Sequence, residues 1–140
     1  MSTGHNSELL ELARSDDRFA CEAYEFLGFA LAYTQKQLGK APLPSGEKGE
    51  HDMKTYHVTG QQLLEGIREF ALQQFGMMAP VVFRLWGVQR TSDFGEMVYR
   101  LIDAGLWHKS PDDRLGDFED LYDFDEVFVR DFKFDEEDLA

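Results

Sequence analysis

Two stretches of the chain, Cys21–Leu38 and Thr59–Phe75, carry apolar residues at three- and four-residue steps, and the segment between them has no apolar period. This constrains the fold more than any other feature, because an amphipathic helix is marginal in water until a second surface covers its stripe. Around the first stretch the stripe is Ala20, Ala23, Tyr24, Leu27, Ala30, Leu31, Thr34 and Leu38, widened by Phe26, Phe29 and Tyr33. In the second it is Leu63, Leu64, Ile67, Phe70, Ala71 and Phe75, with Thr59 and Gln62 at the spacing of a capping box. The stripes match, so the two helices are expected to pack on each other as one cooperative core. Gly28 costs about 1 kcal/mol relative to Ala inside a helix, and a close approach of another element at Gly28 would justify it.

A shorter helix over Ser7–Arg14 precedes the first long one and makes a hairpin of residues 7–38. Gly39–Tyr56 holds two prolines, three glycines and many charges. It reads as a mobile surface loop, residues 39–56. Beyond Phe75, Gly76 stops the helix, and another is expected over Met77–Trp86 with Pro80 in its first turn. Thr91 or Ser92 then caps a third helix, DFGEMVYRLIDA, whose apolar face is Phe94, Val98, Leu101 and Ile102. Gly105 leads into a short strand at Leu106–Lys109, a polar loop SPDDRLGD, and a return strand near Phe118–Phe124.

That order of elements is the order of a winged helix-turn-helix. The expected fold is mainly α with a small β wing: an N-terminal helical hairpin packed on a winged-helix-like three-helix core. With 140 residues, 43% of them hydrophobic, there is room for one core rather than two. Residues 1–140 therefore read as a single domain, with a winged-helix-like module at 57–128 and an acidic tail at 129–140.

Charge narrows the function classes. The formal net charge is -13, and 13 of the 27 acidic residues lie between Pro111 and Ala140 against three basic ones. Affinity for nucleic acid comes largely from Lys and Arg displacing counterions, so this balance disfavours it. The expected solvent side of the third helix (Ser92, Asp93, Glu96, Arg100, Asp103) would turn three carboxylates toward phosphates. No apolar run is long enough to span a membrane, and the N-terminus lacks a secretory pattern. A lone cysteine, Cys21, fits a reducing cytoplasm. The acidic end is nonetheless studded with Phe118, Tyr122, Phe124 and Phe128, more aromatics than a solvating tail carries.

The stretch HVTGQQLLEGIREFALQQF at 57–75, the following GMMA, WG and DFGEMV, the upstream FLGFALAYTQKQLGK and the downstream YDFDEVF together resemble an uncharacterised bacterial family of small proteins of about this length. The resemblance runs from about Ser15 to Phe128. It implies no catalytic residues, since that family has no determined function. Its members often carry proline where Cys21 stands, which argues against a shared chemical role for the thiol. Gly76-Met77-Met78 departs from a pattern closer to Gly-Pro-Met, which bears on helix entry rather than chemistry.

Candidate chemistry is sparse. His5, His51, His57, His108 and Cys21 show no CxxC, HxxxH or HExxH spacing, so no metal ligands are assigned. Cys21 near a helix N-terminus could be activated, but a small half-buried residue is the simpler reading. The pairs Glu65/Glu69, Asp112/Asp113 and Asp123/Asp125 arise readily in so acidic a chain. Neither GxxxxGK[ST] nor GxGxxG is present. Catalytic, cofactor and metal residues are thus expected to be none, and the chain is read as no enzyme. Arg68 is the polar residue of most interest, either in a helix-surface ion pair with Glu65 or in a partner contact.

The leading expectation is a cytoplasmic protein-interaction or regulatory module with a protein partner of basic character, contacted through Arg68, Phe118, Tyr122, Phe124 and Phe128. The alternative is a nucleic-acid-related regulator. It would be either a weak DNA binder using Arg84, Arg90, Arg100 and Lys109, or an acidic competitor for a nucleic-acid-binding protein.

Overall fold

The computed structural model describes residues 6–39, 58–108, 115–119 and 121–130. The described residues include the α-helices α1 (Asn6–Ser15), α2 (Cys21–Gln37), α3 (Gly60–Phe75), α4 (Ala79–Leu85) and α5 (Thr91–Asp103). A 3-10 turn at Gly76–Met78 joins α3 to α4, a second lies at Leu115–Phe118, and a π-helical turn covers Glu126–Arg130. The protein is mainly α. No strand occurs among the described residues, and none of their helices is long and apolar enough to cross a membrane.

The two matching stripes meet. Helices α2 and α3 run antiparallel, with Phe26 against Phe75, Tyr33 against Phe70 and Thr34 against Gly66. Leu27, Leu31, Leu63, Leu64 and Ile67 are fully buried between them and their neighbours. Thr59 closes its capping box with Gln62, the Thr59 N–H donating to Gln62 Oε1 and the Gln62 N–H to Thr59 Oγ1. The close approach falls at Gly66, not Gly28. A Cβ at Gly66 would collide with Thr34 Oγ1 and lie 2.8 Å from Thr34 Cβ, whereas one at Gly28 would meet nothing within 4 Å. Two residues of the expected stripe face outward instead, Phe29 in the middle of α2 and Leu38 just past its end.

The expected wing is not formed by the described residues. Leu106 and Trp107 follow the Gly105 turn, and both their N–H groups donate to Leu101 O. Where the return strand was expected near Phe118–Phe124, the chain makes a 3-10 turn and then a helical one. The physical reason is that partners distant along the chain anchor this segment. The Phe118 ring sits on two glycines, where a Cβ at Gly95 would lie 2.6 Å from Phe118 Cβ and one at Gly60 2.9 Å from Phe118 Cε2. Thr91 Oγ1 fixes the turn, donating to Phe118 O at 2.6 Å and accepting from the Leu121 N–H at 3.2 Å. Thr91 is therefore a core tether. Arg90 is the N-cap of α5, and Asp93 Oδ2 accepts the N–H groups of Gln89 and Arg90.

Most of the expected loop (residues 40–57) and most of the acidic tail (131–140) lie outside the described residues, as do Lys109 and Arg114.

Candidate functional site

Of the residues expected to meet a partner, three are in the core. Phe118, Phe124 and Phe128 are buried, with Phe124 and Phe128 edge-on to Phe83 at 5.0 and 5.7 Å. Their rings are covered by α3, α4 and α5, so they present no docking surface. Tyr122 is half-buried, and its hydroxyl donates to Leu64 O at 2.7 Å. Burial, then the nearby Glu65 carboxylate, push its pKa up. Arg68 takes its simpler role, pairing with Glu65 at 2.7 Å.

The candidate catalytic groups do not converge. Among the described residues no group of three or more His, Cys, Asp or Glu could hold a metal. His108 is exposed and Cys21 is half-buried against the core, while His5, His51 and His57 lie outside the described residues. Glu69 accepts from the Tyr33 hydroxyl, Asp123 accepts the Glu126 N–H, and Asp125 pairs with Arg84 at 3.0 Å. These carboxylates organise local structure.

A charged network ties the α1–α2 turn to α5, and sequence spacing gave no hint of it. Arg18 bridges Asp93 and Glu96, while Arg100 pairs with Asp16 at 2.7 Å. Both guanidiniums stand over the Phe19 ring, at 4.8 and 5.5 Å. Asp16 also accepts from the Tyr24 hydroxyl and from the N–H groups of Arg18 and Phe19. Burial pushes the Asp16 carboxyl up. The Tyr24, Arg18, Arg100 and Phe19 hydrogen bonds outweigh burial and hold it below the usual carboxylate value. Beside the network lies an open polar crevice of about 400 Å³, lined by Arg18, Gln89, Arg90, Ser92, Asp93 and Glu96. Arg18 lies between the Asp93 and Glu96 carboxylates, and Arg90 on the same lining brings the crevice's formal charge to zero. Of the residues considered for DNA contact, Arg84 and Arg100 are thus committed to ion pairs.

The surface feature that the sequence reading missed lies on α4. Its inner face (Ala79, Pro80, Phe83) is buried, yet Met77, Met78, Val81 and Leu85 on the outer side are exposed, Met78 at 57% and Leu85 at 77%. Val81 and Leu85 are four residues apart on α4 and so share one face, and Met77 and Met78 lie in the 3-10 turn that leads into it; together they form one ridge. The turn at Glu126–Arg130 packs beside Gly76–Met78 and adds exposed Val129. The Arg84–Asp125 pair marks the edge, with exposed Asp123 and Glu126 on the same bordering segment. The signal was legible in GMMAPVVFRLW, which is apolar on both sides of a short helix when a surface helix needs only one apolar face.

No family model, curated protein or solved structure matches this chain.

Proposed function

We propose that this protein is a non-enzymatic protein-binding module that works through the outer face of α4. The observation that carries this reading is a set of exposed apolar side chains, Val81 and Leu85 on α4 with Met77 and Met78 in the turn that leads into it, on a helix whose other face is anchored in the core. Contiguous exposed apolar surface costs solubility and is typically kept for an interaction. Methionines let such a surface adapt to its partner. The protein offers a rigid platform, since Phe83 locks α4 against Phe26, Phe94, Phe124 and Phe128.

The test is a photo-crosslinking amino acid placed at Val81 in the full chain, with one at Leu38 as the off-ridge comparison. A discrete adduct at Val81, identified by mass and then reconstituted from purified components, is expected. Substituting Leu85→Ser should abolish it. Equal labelling at Val81 and Leu38 would refute the reading.

A further inference from the structure

We infer that the occupant of the α4 ridge is a basic amphipathic helix of another protein, lying along α4 with its cationic side toward the segment Asp123–Glu126. This rests on the protein-binding reading above and adds the chemistry of the partner.

The ridge has the dimensions of a helix contact. Met77 to Leu85 spans about two turns, on the order of 12 Å at 1.5 Å per residue. It therefore matches a partner stripe with anchors at i, i+3 or i+4, and i+7, packed helix against helix. Charge then selects the partner. The basic residue on the ridge edge, Arg84, is neutralised by Asp125 at 3.0 Å. Asp123 and Glu126 are exposed on the same bordering segment, and the whole chain carries -13.

Against a second copy of this chain, the ridge would set two such acidic borders near each other. Like charges juxtaposed at an interface oppose association. Against a basic helix the same border is attractive, raises the rate of encounter and fixes orientation. Exposed ion pairs add little energy singly. The apolar anchors therefore supply affinity, while the acidic border supplies selectivity and salt dependence.

The test uses the full chain and two fluorescein-labelled synthetic helices of about 18 residues, long enough to cover the ridge. One has Leu on a single face and Lys elsewhere; the other replaces every Lys with Glu. Binding is read by anisotropy at low and high salt, and self-association by sedimentation. The Leu/Lys helix should bind, and more weakly at high salt. Leu85→Ser should weaken it by about tenfold or more, the loss of one buried anchor. Leu38→Ser, at the far end of α2, should leave it unchanged within about twofold.

The Leu/Glu helix should fail to bind. The double variant Asp125→Asn with Glu126→Gln should weaken the Leu/Lys helix and flatten its salt response. Equal binding of both helices, each sensitive to Leu85→Ser, would leave the protein-binding reading standing and overturn the basic partner. Binding of the Leu/Lys helix indifferent to Leu85→Ser would reduce it to bulk charge attraction and overturn the inference, as would no binding at all. A dimer lost on Leu85→Ser would overturn it in favour of a second copy.

Discussion

The tightest point in the fold predicts opposite outcomes for one substitution at two glycines. Gly66→Ala adds a methyl that collides with Thr34 Oγ1 and lies 2.8 and 3.1 Å from Thr34 Cβ and Cγ2. Carbon atoms normally rest at about 3.5–4.0 Å, so α2 and α3 must separate or Thr34 must turn. Turning is resisted, because Thr34 is buried, β-branched and donates from its hydroxyl to Ala30 O at 2.7 Å. Overpacking of this kind costs about 1–3 kcal/mol; the upper end applies here. The gain in helix propensity returns about 1 kcal/mol, leaving a net loss of about 2 kcal/mol.

Gly28→Ala receives the same propensity gain and meets nothing within 4 Å. It should stabilise by about 0.5–1 kcal/mol. Equilibrium urea unfolding followed by the fluorescence of Trp86 and Trp107 measures both. A third variant decides the cause: adding Thr34→Ala to Gly66→Ala removes Oγ1 and Cγ2 and should recover at least about 1 kcal/mol as a non-additive coupling. If Gly66→Ala proves as stable as Gly28→Ala, the close approach of the two helices is not what requires glycine, and the reasoning fails.

Asp16 gives a pH signature. Its folded pKa lies below its ordinary value, so the unfolded chain binds more protons in that range. The stability it contributes is full above about pH 4 and is lost as pH falls through its folded value. Asp16→Asn should therefore be less stable than wild type near neutrality, with the gap closing in urea titrations below pH 4; a constant gap would rule out the linkage. Phe118→Ala should cost about 3–5 kcal/mol as a buried aromatic deletion, read as a lower urea midpoint, and an exposed wing residue would show almost nothing. Tyr122→Phe should cost about 1 kcal/mol for the lost hydrogen bond to Leu64 O, again by urea unfolding. Leu85→Ser should leave the unfolding midpoint within about 0.5 kcal/mol of wild type, since Leu85 is exposed.

The helices and their pairing were legible because periodicity reports burial directly. Leu27, Leu31, Leu63 and Ile67 recur where a covered stripe must, and Thr59 with Gln62 announces the start of α3. The segment beyond α5 was not legible, because its order resembles strand–loop–strand and the even spacing of Phe118, Tyr122 and Phe124 suits one face of a strand as well as it suits anchoring. Phe118, Phe124 and Phe128 looked like a docking surface because acids surround them in sequence. Burial is set by partners distant along the chain, here Gly60, Gly95 and Phe83, and no local pattern names them. The network of Asp16, Arg18, Arg100 and Asp93 was hidden for the same reason, its members being separated by most of the fold. The α4 ridge was visible as an excess of apolar residues in GMMAPVVFRLW, but which of them face outward depends on Phe83 meeting partners from distant elements.

The way residues 118–128 complete the core also fixes an order of events during synthesis. Chains grow from the N-terminus, and domains assemble as their parts emerge. Helices α2 to α5 therefore emerge while the surface around Phe83, Phe94, Gly60 and Gly95 still awaits Phe118, Phe124 and Phe128. For that interval the nascent chain carries a second, temporary apolar face, on the side of α4 opposite the ridge. A product truncated before Phe118 would keep it permanently open and become a substrate for chaperones and proteases. The core of each copy is thus closed by aromatic anchors made after α2 and α3.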